Sequence, residues 1–340
     1  MLFRSTEDIW IDVAPKLDST WLECRDVCGN PNIVGKALRT AALTRSMSAS
    51  DWGQLLLLGF LWGGSFFFAR IAVAEIPPLA LVLYRVSIAA LVLQLWLWMR
   101  GISFAPVLAR PGPFLCLALL NNVIPFSLIF TGQTEIGAGL ASVLYATTPL
   151  WTILVANLLT ADEKLSAAKL VGVGLGIAGA GVMIGPGLLS DFGGPAWAKL
   201  AVIGAAMSYA FAVVYAKRFK DIKPSVVATG QLTASTILMA PIVFLLYRPA
   251  DIVTSSIPIW TAVCVLAVFT TAFAFILYFN IIASAGATNA SLVTLLVPAS
   301  AVMLGAVFLG ERLEPFEFFG MALILSSLLI IDGRLFRRRD

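Results

Sequence analysis

From Trp52 onward the chain alternates between long apolar segments and short polar turns. Each segment has roughly the 17 to 25 residues that a helix needs to cross about 30 Å of hydrocarbon. No segment alternates with the period of two expected of a barrel strand, and backbone groups in lipid must bond within their own segment, so helices are predicted. The pattern predicts ten transmembrane segments, at 52–74, 77–99, 113–134, 137–160, 167–186, 197–216, 225–247, 258–283, 287–310 and 315–332.

One stretch of this pattern occurs twice. GAGLASVLYATTP at 137–149 recurs as GATNASLVTLLVP at 286–298, with matching Gly, Ala, Ala, Ser and closing Pro. The similarity continues past the proline, where Glu163, Lys164, Leu165 and Gly172 correspond to Glu311, Arg312, Leu313 and Gly320. Interrupted apolar segments at corresponding positions of two halves are typical of secondary transporters and of their substrate sites. The sequence therefore predicts two five-helix repeats, at 52–186 and 197–332.

Charge sets the predicted orientation. Beyond residue 46, twelve Lys and Arg lie beside segment ends on the same side of the membrane as the N-terminus, and four lie beside segment ends on the opposite side. Arg85 lies within a segment. Basic residues accumulate in cytoplasmic loops, so both termini are predicted to be cytoplasmic. With five segments in each half, the two repeats then have opposite orientations in the membrane, and their shared cavity lies near its midplane.

Composition narrows the class of protein. The chain is 59% hydrophobic and 12% charged, with a mean hydropathy of +0.93, so lipid must solvate most of it. It has no histidine, which excludes His-based acid/base chemistry and His metal sites. The four cysteines are too few and too scattered for a four-ligand zinc site. There is no phosphate-binding GxxxxGK[ST] loop and no dense basic face, so no cofactor, metal or nucleic-acid partner is predicted.

The two ends of the chain differ from its apolar body. Residues 1–46 carry six basic and six acidic residues and no apolar run, which predicts a disordered tail. Met47 opens a short polar stretch that leads to Trp52 at the start of the first segment, so translation is predicted to begin at Met47. Residues 333–340 are predicted to form a basic cytoplasmic tail.

Several of these motifs together resemble a known family. They are LWGGSFFFAR (61–70) with its counterpart SYAFAVVYAKR (208–218), the arginine in VLYRVSIAALVL (82–93), and the two proline-containing hairpins that close in E-K-L or E-R-L. In order and spacing they resemble the EamA-type transporters of the drug/metabolite transporter superfamily. The resemblance implies ten helices in two inverted halves, in a bacterial cytoplasmic membrane, that export or exchange small metabolites. It does not imply one substrate, since the family handles amino acids, drugs and other solutes.

Arg85 is the first candidate site residue, because it is the one basic residue deep within a predicted segment. A charge at such a position costs at least about 2.5 to 3.5 kcal/mol unless it faces protein or water. In a functional role it would attract a carboxylate or phosphate. In the alternative role it binds carbonyls of neighbouring helices or extends its charge to the membrane surface.

Pro149 and Pro298 interrupt the two repeated segments and free backbone carbonyls that must face protein or a cavity. Polar groups beside them are predicted to line the cavity, namely Tyr145 and Thr148 in one copy and Asn289 and Thr294 in the other. The alternative is that the hydroxyl groups only satisfy the kinked backbone.

Further candidates lie in the first, third, sixth and eighth segments. One of Asn121 and Asn122 is predicted to face the cavity and the other to join helices. The remaining candidates are Trp62, Ser65, Tyr209 and Asn280. For the aromatic residues among them, packing or lipid contact is the alternative.

The predicted function is transport of a small metabolite by export or exchange, and a lipid flippase is the alternative. Every Asp and Glu beyond the tail falls at a segment end or in a loop, which favours exchange or facilitated diffusion over strict proton antiport. No cluster of nucleophile, base and metal ligands is visible, so an enzyme is not predicted. The expected partners are a small-molecule substrate and the lipid bilayer, with the chain acting as a monomer or homodimer.

Overall fold

A computed structural model of the protein describes residues 47–160, 167–184, 195–248, 256–300 and 315–332. All regular structure in these ranges is helical. The apolar helices of the first half are α1 Ala49–Ala72, α2 Pro78–Met99, α3 Pro111–Gly132, α4 Ala138–Leu159 and α5 Ala167–Ile184. Those of the second half are α6 Ala196–Ala216, α7 Pro224–Leu246, α8 Ile257–Ala285, α9 Ala287–Ser300 and α10 Pro315–Asp332. A five-residue helix, Ala105–Ala109, lies between α2 and α3.

Seven helices in the described residues are long and apolar enough to cross a membrane, namely α1 to α4 and α6 to α8. The apolar stretches of α5, α9 and α10 are shorter. The prediction of an all-helical fold is therefore confirmed for the described residues, and seven of their helices have the length and composition of membrane spans. The predicted tails 1–46 and 333–340, residues 301–310 of the ninth predicted segment and the two Glu-Lys/Arg-Leu motifs lie outside those residues.

The ends of α1 are tied to α8. At its start, Ser48 and Asp51 form a capping box, with the Asp51 N–H donating to Ser48 Oγ at 3.1 Å. The same Asp51 carboxylate accepts a hydrogen bond from Ser284 at the end of α8. Beyond the other end, Glu75 accepts hydrogen bonds at 3.1 and 3.2 Å from the backbone N–H and the hydroxyl of Ser256, the residue directly before α8. These contacts hold α1 and α8 antiparallel.

The two halves pack against each other rather than side by side as separate bundles. Helix α2 lies along α7, and α5 lies along α10. Helix α1 packs on α8, and its repeat counterpart α6 packs on α3. Every one of these contacts joins one repeat to the other, so a cavity at the centre of the bundle must be built by both.

The third helix of each repeat contains a π-helical turn, at Leu119–Val123 in α3 and at Val268–Phe273 in α8. Asn121 lies as far before Gly137 as Thr270 lies before Gly286, and Asn122 and Thr271 follow directly. The two turns are therefore repeat equivalents. A π-bulge leaves carbonyl groups outside the regular helical ladder, and such turns are frequent at functional sites.

The fourth helix of each repeat is interrupted. Helix α4 breaks at Ala146 and Thr147, directly before the turn that contains Pro149. Helix α9 breaks at Leu292, one and a half turns before Pro298. Both prolines are buried.

Candidate functional site

A cavity opens between the two halves. Its lining comes from α1 (Trp62, Ser65, Phe66, Ala69), α2 (Arg85), α3 (Phe126, Ile129, Phe130), the residue after α3 (Gln133), α4 (Tyr145), α6 (Tyr209) and α8 (Phe275). Six helices and both repeats thus contribute. Ala69 and Gln133 lie near the end of α1 and just after α3, and Arg85 lies in the first half of α2.

Arg85 is the one charged residue among the described lining residues, and it is only 4% exposed. Its Nε donates to Thr271 Oγ1 at 2.6 Å, and its Nη2 donates to the Thr270 carbonyl at 3.4 Å. The guanidinium carbon lies 4.1 Å from the ring centre of Phe126 and 5.7 Å from that of Phe130. Within the described part of the chain, no carboxylate lies at salt-bridge distance from Arg85. The bonds to α8 use only part of its five N–H donors, so others are available to an anion.

The π-helical turn of α8 orients the group that holds Arg85. Thr271 Oγ1 donates its hydrogen to the carbonyl of Leu266, five residues earlier, at 2.6 Å. Because a hydroxyl has one hydrogen, this bond turns the oxygen lone pairs toward Arg85 Nε. The turn also presents the Thr270 carbonyl to the same guanidinium. The bulge therefore positions the arginine.

The rest of the cavity wall is largely aromatic, and its rings fix one another. Trp62 packs edge-on against Phe275, with ring centres 6.2 Å apart. Tyr145 lies between Phe66 and Tyr209, at 5.4 Å from each. Such planar, mutually packed rings offer a rigid apolar surface with hydroxyl groups at its edge. A ligand with one anionic end and an apolar body fits this combination.

Gln133 was not predicted from the sequence. It is completely buried, its Nε2 donates to the Phe66 carbonyl at 3.2 Å, and its backbone carbonyl accepts from Arg70 Nη1. Its Oε1 has no hydrogen-bond partner among the described residues. In the sequence it is one polar residue at a segment end, where glutamine is ordinary, so no signal marks it.

Five of the predicted site residues lie together in the cavity lining: Trp62, Ser65, Arg85, Tyr145 and Tyr209. The other predicted residues lie outside it: Asn121, Asn122, Thr148, Pro149, Asn280, Asn289, Thr294 and Pro298. Besides Gln133, the lining residues that sequence reasoning missed are Phe66, Ala69, Phe126, Ile129, Phe130 and Phe275. All six are apolar and differ in no visible way from lipid-facing neighbours.

Both asparagines of α3 face α7. Asn121 Nδ2 donates to Gln231 Oε1 at 2.8 Å, and Asn122 Nδ2 donates to Ser235 Oγ at 2.9 Å. Asn121 Oδ1, Asn122 Oδ1 and Gln231 Nε2 are buried without a hydrogen-bond partner among the described residues. Each of these three amides thus joins α3 to α7 through one of its polar atoms, while the other polar atom has no partner among the described residues.

The hydroxyl and amide groups beside the two prolines bond the backbone of their own helices. Thr148 Oγ1 donates to the Tyr145 carbonyl at 2.6 Å, and Thr294 Oγ1 donates to the Ser291 carbonyl at 2.9 Å. Asn289 Nδ2 donates to the Ala285 carbonyl at 3.0 Å. In this conformation they satisfy carbonyls near the helix breaks. Asn280 is half-buried on α8, away from the cavity lining.

With this geometry established, comparison with known proteins gives the family. The model of the EamA-like transporter family matches residues 52–185 and 196–332. The chain belongs to this family, and the predicted two-repeat architecture is confirmed.

Individual relatives match over most of their length. The inner membrane transporter YedA of Escherichia coli (strain K12) is 27% identical over 281 residues, covering 82% of this chain and 90% of YedA. PagO of Salmonella typhimurium is 28% identical over 284 residues, covering 81% of this chain and 87% of PagO. A third relative, from Streptantibioticus cattleyicolor, is named as a probable terminal-alkyne amino-acid exporter. It is 25% identical over 298 residues, covering 86% of this chain and 96% of that protein.

A solved crystal structure superposes with a TM-score of 0.70 at 21% identity, covering 87% of this chain and 100% of that one. At this identity it shows the fold alone. The inner-membrane relatives and the membrane-spanning helices of the described residues confirm the prediction of a multi-pass protein of the bacterial inner membrane.

Proposed function

We propose that the protein is a secondary transporter that moves small organic solutes with an anionic group across the inner membrane, by export or exchange. The observation that carries this proposal is Arg85, a buried cation without a carboxylate partner in the described residues, in an aromatic cavity built by both repeats. A buried charge in a membrane protein is costly, and such residues commonly mark the pathway of a substrate or ion.

In the proposed topology all ten apolar helices cross the membrane, both termini are cytoplasmic and the repeats are inverted. The end of α1 and the start of α2 then face the external side. Ala69 and Gln133 lie toward that side, so the cavity is nearer to the external face. Such a position fits one of the two states of an alternating-access cycle between inverted repeats.

The charge and shape of the cavity favour amphipathic anions. A guanidinium binds a carboxylate or phosphate through paired N–H groups, and the aromatic wall receives an apolar body. The name of the S. cattleyicolor relative, an amino-acid exporter, agrees with a solute that carries a carboxylate.

We infer exchange or facilitated diffusion rather than proton antiport. Two carboxylates near the ends of α1, Asp51 and Glu75, are engaged with Ser284 and Ser256 at the two ends of α8. Among the described residues, the cavity lining contains no carboxylate and no pair of nucleophile and base. These features support transport rather than catalysis at this site.

The test is metabolite profiling of medium and cytosol from cells that express the full chain, Arg85→Ala or Arg100→Ala, with equal protein levels in the membrane. Arg100 follows the other end of α2 and is exposed, so it is a matched control. We expect an anionic solute to redistribute with the wild type and Arg100→Ala, but not with Arg85→Ala. Equal profiles for the wild type and Arg85→Ala would contradict the proposal. A change confined to membrane lipids would instead support a lipid flippase.

A further inference from the structure

The side-chain amide of Gln133 has a defined orientation. Its nitrogen faces the Phe66 carbonyl at 3.2 Å, and a carbonyl can only accept a hydrogen bond. The amide must therefore place its NH₂ on that side and its Oε1 on the other. The chemistry of the partner thus determines which end of the amide is the nitrogen and which is the oxygen.

Gln133 is also fixed in place by its backbone. Its carbonyl accepts from Arg70 Nη1, one turn after Phe66 on α1. The preceding Gly132 lies so close to α6 that an added Cβ would stand 3.0 Å from the Ala198 carbonyl oxygen. Contacts with α1 and α6 thus fix this residue at the cavity wall.

The result is a positioned acceptor that the protein leaves unused. Gln133 is 0% exposed, and its Oε1 has no partner in the described residues. Leaving a buried acceptor unsatisfied is unfavourable, so a hydrogen-bond donor on a bound solute would be favoured there. Arg85 lines the same cavity and supplies donors and positive charge.

We propose that Gln133 determines specificity: its Oε1 accepts a hydrogen bond from an ammonium or hydroxyl group of the same solute whose anionic group binds Arg85. The preferred solutes are then acids that also carry a donor, such as amino and hydroxy acids, over plain carboxylates of equal size. This inference rests on the proposed transport function, and it adds a second recognition point.

The test compares phenylalanine with 3-phenylpropanoate, which keeps the carboxylate and ring but lacks the ammonium group. Binding to the purified full chain in lipid nanodiscs is measured by calorimetry, for the wild type, Gln133→Leu, Gln54→Leu and Arg85→Ala. Gln54 is the matched control, since it also has a buried Oε1 without a partner in the described residues but lies outside the cavity lining.

We expect the wild type and Gln54→Leu to bind phenylalanine at least about tenfold more tightly than 3-phenylpropanoate. Gln133→Leu should bind both compounds within about twofold of each other, with the affinity for 3-phenylpropanoate unchanged. The inference would be overturned if the wild type bound both compounds with equal affinity. It would also be overturned if Gln133→Leu lowered the affinity for both compounds by the same factor.

The same experiment separates this inference from the transport proposal. Arg85→Ala should weaken both compounds, because both carry the carboxylate. If the wild type binds neither compound, the role of Gln133 is refuted, whereas Arg85-dependent movement of another anion in cells would still support the transport proposal. If Arg85→Ala binds both as the wild type does, anion recognition by Arg85 is wrong.

Discussion

Arg85 and Gln231 are equivalent residues of the two repeats, and each bonds the π-helical turn of the opposite half. They occupy the same position after Pro78 and Pro224, at which α2 and α7 begin. Arg85 binds Thr270 and Thr271 of α8, whereas Gln231 binds Asn121 of α3. Of these two equivalent positions in the repeats, one thus holds a cation beside the cavity, and the other holds a residue of a neutral amide pair.

The first prediction concerns the amide pair between Asn121 and Gln231. Replacing either residue by leucine leaves the other amide buried without its partner, which costs about 1 to 3 kcal/mol. Replacing both removes two polar groups together, so the double variant should be closer to wild-type stability than the sum of the singles. Thermal unfolding of the four purified proteins measures this coupling. Additive losses would show that the amides do not stabilise each other.

The second prediction concerns close packing between α1 and α9. An added Cβ at Gly59 would lie 2.7 Å from Leu296 Cβ, whereas one at Gly53 on the same helix would meet nothing within 4 Å. Gly59→Ala should therefore destabilise the protein by about 1 to 3 kcal/mol. Gly53→Ala should be neutral or stabilising, since alanine favours helix. Equal effects on the unfolding temperature would contradict this contact.

The sequence predicted the helices well because a membrane imposes length and apolar composition on each crossing. The repeat was visible because Gly137 and Gly286 begin matching segments that contain Pro149 and Pro298. The sequence did not predict the π-helical turns of α3 and α8. In the structure Asn121 and Asn122 bond side chains of α7, whereas Thr270 and Thr271 bond the Leu266 carbonyl of their own helix. A linear pattern does not contain these partners.

The site was predictable only where a residue type was out of place. Arg85 stood out because a charge in an apolar segment requires a reason. Phe126 and Phe130 resemble any lipid-facing aromatic, and only the packing of α3 turns them toward Arg85. Thr148 and Thr294 lie near interrupted turns but bond carbonyls of their own helices, because a hydroxyl satisfies a nearby backbone group before it reaches a cavity.

The third prediction separates the charge of Arg85 from its shape. Lysine keeps the charge but loses the planar fork that bonds Thr271 and an anion together. Uptake of an anionic solute by proteoliposomes should show KM raised about tenfold or more for Arg85→Lys and flux near background for Arg85→Ala, since bonds to charged groups contribute about 1.5 to 3 kcal/mol. Wild-type KM in Arg85→Lys would mean that charge alone suffices.

The fourth prediction tests whether the π-helical turn of α8 positions Arg85. Thr271→Val removes the hydroxyl that accepts from Arg85 Nε, whereas Thr271→Ser keeps it. Thr270→Val is the control, because Thr270 contacts Arg85 through its backbone carbonyl, which valine retains. We expect Thr271→Val to raise KM for an anionic solute about five- to thirtyfold in proteoliposomes, with serine restoring it, since one misplaced hydrogen bond costs about 1 to 2 kcal/mol. Two results would refute the positioning role: an unchanged KM in Thr271→Val, or an equal rise in Thr270→Val, because neither follows if the Thr271 hydroxyl holds the guanidinium toward the cavity.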